Sequence, residues 1–143
     1  MTRPLQDRAV TASTYDWPTR LFRYDKRTIG NEPNRVDLTG RGRSLVIGPN
    51  RVVQAGLWRL RVRLAFDEWA AKHRYALAWG ADEDRTVYEF CPGREGVFEV
   101  ELDARWDQPA KAKLRLRLVD ASMGGVFEFR GAQAFRLDDE VRC

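Results

Sequence analysis

Arginines at every second position are the residues of this sequence whose spacing most suggests chemistry. Arg59, Arg61 and Arg63 form one run, and Arg115 and Arg117 form another. A guanidinium fork grips carboxylate, sulfate or phosphate through two parallel hydrogen bonds, so such rows suit an anionic ligand, an acidic saccharide among them. If the two runs lie in one sheet, they make a cationic stripe that glutamates partly offset. The plainer alternative is a solvated face laced with Arg–Glu cross-strand pairs, each contributing roughly a few tenths of a kcal/mol. Trp69 and Trp106 lie in polar stretches outside the alternating rows. A flat aromatic is what the C–H face of a sugar ring stacks on; the alternative has both rings folding back to plug the ends of the fold. These seven residues are the candidate ligand-binding set.

Catalytic and metal chemistry find little to work with. There is no G-x-S-x-G elbow, and any Ser/His/Asp or Cys/His arrangement would have to use the single His73. Beside Lys72 and Arg74 this histidine reads as a solvated loop residue. Glu89, Glu99, Glu101 and Glu128 could supply a carboxylate pair for glycoside hydrolysis, but strand positions beside arginines explain them better as ion-paired surface groups. One histidine and two separated cysteines, Cys91 and Cys143, make no zinc set, and no cofactor is implied. Cys91 reads as a small strand-end or core residue and Cys143 as a terminal thiol. A disulfide between them does not suit a reducing compartment.

The elements that must position these residues follow from a period of two. In Leu57–Phe66, Trp58, Leu60, Val62, Leu64 and Phe66 point one way, and the three arginines with Ala65 point the other, the mark of a strand with one face in the core. At helical spacing the apolar residues would not form one stripe. The plan repeats where Phe98, Val100 and Leu102 alternate with Glu99 and Glu101, and where Leu114, Leu116 and Leu118 alternate with Arg115 and Arg117. Further strands are expected at Leu45–Gly48, Tyr75–Trp79, Thr86–Cys91, Val126–Gly131 and Ala132–Leu137. Asp67 is placed to cap a single helical turn before Tyr75. Asp37–Ser44, DLTGRGRS, is Gly-rich and basic, but it lacks the Lys-Ser/Thr ending of a phosphate-binding loop and reads as a turn. Ala104–Lys111 reads as a polar loop presenting Trp106.

Short strands with turn signals at roughly eight- to twelve-residue spacing and almost no helix indicate an all-β chain, an antiparallel two-sheet sandwich or a closed barrel of about eight strands. The sandwich places Trp58–Phe66, Phe98–Leu102, Leu114–Leu118 and Phe127–Phe129 in its core. Residues 1–36 form an extended N-terminal arm, 37–138 the sandwich and 139–143 a tail. The arm holds Tyr15, Trp17, Phe22 and Tyr24, too aromatic for a floppy segment, so part of it is expected to cover a sheet edge or to exchange between subunits.

At 143 residues the chain suits one domain. Its net charge of +4 resides in residues 1–44, which hold nine Lys/Arg and five Asp/Glu, while the remainder carries sixteen of each sign. A neutral body argues against nucleic acid as a partner. No apolar run approaches a membrane span, and the N-terminus lacks the apolar stretch of a secretory signal, so no membrane partner and a cytoplasmic location are expected.

The strand order, with glycine-bounded entries at Ala55-Gly56-Leu57-Trp58 and Gly96-Val97-Phe98-Glu99-Val100, resembles the galactose-binding-like jelly rolls found as carbohydrate-binding modules and accessory domains. Ala112–Arg117 followed by Gly125–Ala132 looks like the last two long strands of such domains, and the resemblance spans Asp37 to Leu137. It implies a jelly-roll sandwich that binds sugar without catalysis. No binding residue is carried over, because those of the family sit in variable loops. The leading reading is therefore a carbohydrate-binding or accessory domain for acidic saccharides. The alternative is a structural or assembly protein, homo-oligomeric or bound to a protein partner, acting through its arm and arginine face.

Overall fold

The computed structural model of the chain describes residues 14–137. The expected tail at 139–143, with Cys143, lies outside them. Eleven strands follow in order: β1 (Thr14–Trp17), β2 (Arg23–Tyr24), β3 (Thr28–Ile29), β4 (Glu32–Asp37), β5 (Arg43–Val53), β6 (Gly56–Phe66), β7 (Tyr75–Gly80), β8 (Asp84–Phe90), β9 (Gly96–Trp106), β10 (Ala110–Leu118) and β11 (Val126–Arg136). Two single 3₁₀ turns, Thr19–Leu21 and Ala70–Lys72, complete the regular structure of the described residues. The chain is an all-β sandwich of two antiparallel sheets. One sheet runs β3-β4-β11-β6-β9 with β1 also on β11; the other runs β2-β5-β10-β7-β8.

Eleven strands replace about eight because the arm supplies short ones to both sheets. β1 pairs with β11 from Thr14↔Phe135 to Trp17↔Ala132, and β2 pairs with β5 at Arg23↔Ile47. Backbone irregularities also join what the sequence reads as separate pieces. Leu45–Gly48 and the segment after it are one strand, β5, whose register shifts around Asn50, a residue at φ 63°. Val126–Gly131 and Ala132–Leu137 are likewise one strand, β11, bulged between Phe129 and Ala132 with Gly131 at φ 103°. A bulge inserts an unpaired residue and bends the strand without ending it.

The core lies where the alternation puts it. Trp58, Leu60, Val62, Leu64 and Phe66 from β6, Leu114, Leu116 and Leu118 from β10, and Phe127 and Phe129 from β11 are buried. Phe66 gathers Tyr75, Phe98 and Phe127 around it, with ring centroids 4.8–6.0 Å apart. Tyr75 directs its hydroxyl to the Ala70 carbonyl at 2.6 Å, and burial pushes that phenol well above its ordinary pKa.

The Gly-rich basic loop is a closed turn. Arg43 donates to the carbonyls of Asp37 at 2.8 Å and Arg41 at 2.9 Å, and Arg27 donates to the Thr39 carbonyl. The Asp37 carboxylate takes the Thr39 N–H and hydroxyl, and Gly40 exchanges two backbone bonds with Ser122.

Candidate functional site

The segment between β6 and β7 is built to hold one ring outside. Asp67 Oδ1 accepts the Ala70 N–H at 2.8 Å, which fixes the turn, and Ala70 and Ala71 bury against the core. Trp69, the residue before them, is thereby turned outward and is 63% exposed. Lys72, one turn on, places its ammonium 5.0 Å from the centroid of the Trp69 ring, so a cation holds one face of the indole.

The β10–β11 segment closes on this turn. A Cβ at Gly125, whose φ is 122°, would lie 2.7 Å from the Ala70 nitrogen, so only glycine permits the approach. Buried Ser122 donates its hydroxyl to the Gly124 carbonyl at 2.6 Å and accepts the Gly124 N–H at 3.1 Å. Its Oγ also lies 2.9 Å from His73 Nε2. With the hydroxyl proton directed to the Gly124 carbonyl, Nε2 takes the donor role in this contact. His73 is thus a part-buried, hydrogen-bonded strut rather than the solvated loop residue its charged neighbours suggest. Between the two segments lies a cavity of about 530 Å³ lined by Trp69, Lys72, His73, Met123, Gly124 and Gly125, among others. Its size falls within the range of small-molecule sites.

Trp106 belongs elsewhere. It is 1% exposed and ends β9, so the expected polar loop at Ala104–Lys111 shrinks to residues 107–109. The inward alternation of Leu102 and Ala104 simply runs one step further, and Trp106 fills the core beside Trp79. The two tryptophans are not neighbours on a surface.

The two arginine runs also separate. Arg59, Arg61 and Arg63 are on β6 in the six-stranded sheet, and Arg115 and Arg117 are on β10 in the five-stranded one, so no single stripe forms. The β6 run is matched residue for residue by acids on β9, through the registers Arg59↔Asp103, Arg61↔Glu101 and Arg63↔Glu99. The nitrogen–oxygen distances are 2.8, 2.8 and 3.1 Å. Longer contacts from Arg59 to Glu101 at 3.9 Å and from Arg61 to Glu99 at 4.0 Å lace the pairs into a ladder.

The β10 run has different surroundings. Lys111, Lys113, Arg115 and Arg117 share its outer face. Their cross-strand partners are Val52, Pro49, Ile47 and Ser44 on β5, and on β7 Lys113, Arg115 and Arg117 face Gly80, Ala78 and Ala76. Arg115 reaches Asp84 at 3.9 Å; Lys111, Lys113 and Arg117 have no acid within ion-pairing distance among the described residues. The two lysines were legible in AKAKLRLRL as members of the same alternating row, although the arginines alone drew notice.

No protein-family model and no curated protein sequence matches the chain. Solved structures do. The CBM36-1 domain of a multidomain xylanase from the hindgut metagenome of Trinervitermes trinervoides superposes with a TM-score of 0.54 at 13% identity, over 87% of this chain and 98% of that one. The carbohydrate-binding module CBM6cm-2 from Cellvibrio mixtus lichenase 5A, in complex with cellotriose, gives 0.53 at 9% identity, over 86% and 97%. The acetyl xylan esterase Est2A from the rumen bacterium Butyrivibrio proteoclasticus gives 0.50 at 14% identity, over 87% of this chain but 33% of the esterase. The fold is that of the galactose-binding-like jelly rolls, the architecture of carbohydrate-binding modules.

Proposed function

We propose that this chain is a non-catalytic carbohydrate-binding domain that takes an acidic saccharide in the cavity beside Trp69. The observation that carries the reading is the position of that one indole. Trp17, Trp58, Trp79 and Trp106 are all buried, while Trp69 stands 63% exposed at the mouth of the cavity. An exposed flat aromatic beside a concave site is what a sugar ring stacks on. Lys72 at 5.0 Å from the ring supplies the charge that favours an acidic sugar over a neutral one. The superposition on carbohydrate-binding modules supports the class of ligand, and the third of the esterase chain that this fold matches supports an accessory role. Titration calorimetry with neutral and uronate-containing oligosaccharides tests it. Heat of binding that is larger for the uronates supports the proposal, and silence toward every sugar removes it.

A second reading, an assembly protein, draws on the edge of the five-stranded sheet. β8 ends that sheet as an edge strand on which Val87 is 57% and Tyr88 47% exposed among the charged Asp84, Arg85 and Glu89. An edge strand can pair with another copy. A stable oligomer by light scattering, together with no sugar binding, favours it.

A further inference from the structure

We propose that the outer face of the five-stranded sheet is a second binding surface, on which a linear anionic polysaccharide lies along β10. Lys111, Lys113, Arg115 and Arg117 would grip its successive acidic groups. Same-face residues of a strand recur at about 7 Å, so the four cations span roughly 20 Å. Arg23 on β2 stands across Ile47 from Arg115 and adds a fifth positive charge to the same face. The acids on this face, Asp84 and Glu89, both lie on β8 at its edge, and Asp84 already approaches Arg115.

The contrast between the two sheets carries the inference. Where β6 bears arginines, β9 answers each one with a carboxylate at 2.8–3.1 Å. Where β10 bears cations, β7 answers with Gly80, Ala78 and Ala76, and β5 with Pro49, Ile47 and Ser44. Like charges along one strand repel one another, and nothing on the flanking strands between them offsets that repulsion. Such a row raises the local concentration of polyanions. Ala76 and Ala78 on the flanking strand are nearly buried, so a ligand on this face meets the charged heads of the row. No aromatic stands among Ile47, Pro49, Ala76, Ala78 and Val87, so this face lacks the rings on which single-stranded nucleic acid stacks its bases. Choosing a glycan among polyanions rests on the carbohydrate-binding reading above; the charge pattern stands without it.

The test uses the full chain against a polyuronate oligomer, neutral dextran and single-stranded DNA at several salt concentrations. The polyuronate is expected to bind with an affinity that falls as salt rises, since exposed charges are screened, and dextran is expected not to bind this face. The double variant Lys111→Glu with Arg117→Glu, both at exposed positions, should weaken polyuronate binding at least tenfold with an unchanged melting temperature. Should that variant melt early, the single Lys111→Gln is expected to fold normally and weaken binding several-fold. Trp69→Ala should leave the salt-sensitive binding of the long polyuronate intact. A uronate disaccharide, too short to span the row, should lose its binding to Trp69→Ala and keep it in the double variant. No polyuronate binding, full binding by the charge variants, or tighter binding of DNA than of polyuronate would each overturn the proposal. Polyuronate binding lost with Trp69 and kept by the double variant would place the ligand in the loop cavity alone, which sinks this surface and spares the cavity. Long-polymer binding lost in the double variant and kept without Trp69 supports this surface, and the cavity is then judged on the disaccharide.

Discussion

Trp106 on β9 meets Trp79 on β7 edge to face across the two sheets, with ring centroids 5.6 Å apart and 77° between planes. Arg85 covers the outer side, its guanidinium 4.9 Å from the Trp106 ring. Truncating such a ring removes its buried area and leaves a cavity. Trp106→Ala is expected to cost about 3–5 kcal/mol, read from urea unfolding. A change below about 1 kcal/mol would mean that the ring is not core.

The β6–β9 ladder should be worth little per rung. Arg61 and Glu101 are 38% and 39% exposed, and solvent screens a pair of that kind. A double-mutant cycle to alanine is expected to give a coupling of about 0.2–1 kcal/mol that shrinks in high salt. Arg61→Ala alone should cost more than the coupling, because its guanidinium also lies 4.9 Å from the Phe135 ring. A coupling above about 2 kcal/mol would contradict the solvated character of this face.

Acid should loosen the join between arm and body. Burial raises the pKa of the Asp25 carboxyl, but the hydrogen bond and charge of Arg43, with the backbone N–H groups of Arg27 and Lys26, outweigh it and hold the group below its ordinary value. Asp37 is held down in the same direction by the Thr39 N–H and hydroxyl. A carboxylate depressed in the folded state contributes stability above its unfolded value, near 3.8, and loses it as pH falls through the lower folded value. The stability advantage over Asp25→Asn should therefore be constant from neutral pH down to about 5 and shrink below about 4. Melting curves from pH 7 to 2 read it directly, and an advantage that grows toward acid would contradict the arrangement.

Val62→Asp and Leu116→Asp each put a carboxylate into the fully buried layer between the sheets. Neither site offers a partner cation, so both variants are expected to be unfolded at room temperature. Far-UV circular dichroism with a normal sheet signal and melting temperature in either one would refute the assignment of faces.

What could be read before the structure was the alternation, and the structure shows its limits. A period of two says which way Leu60 and Arg61 point, and both point as expected. It does not say which sheet a strand joins, so the runs on β6 and β10 could be imagined side by side when they lie in different sheets. The alternation ran on to Trp106, but Asp107, Gln108 and Pro109 after it disguised the end of a strand as a loop. Asn50 and Gly131 interrupt the period at bulges and make one strand look like two. The bond from Ser122 to His73 joins residues 49 apart in sequence, and no local pattern announces such a contact. Trp69 stood out by its place in a polar stretch, the same signal that misled at Trp106, and the turn fixed by Asp67 is what faces it outward.

The account depends most on that exposed indole. Calorimetric titration of a uronate disaccharide, too short to span the β10 row, into the full chain and into Trp69→Ala tests it most directly. A tenfold change in affinity corresponds to about 1.4 kcal/mol. The account expects measurable binding to the parent chain and a loss of at least tenfold in the variant, with both proteins melting at the same temperature. Equal affinity in the two proteins would contradict it.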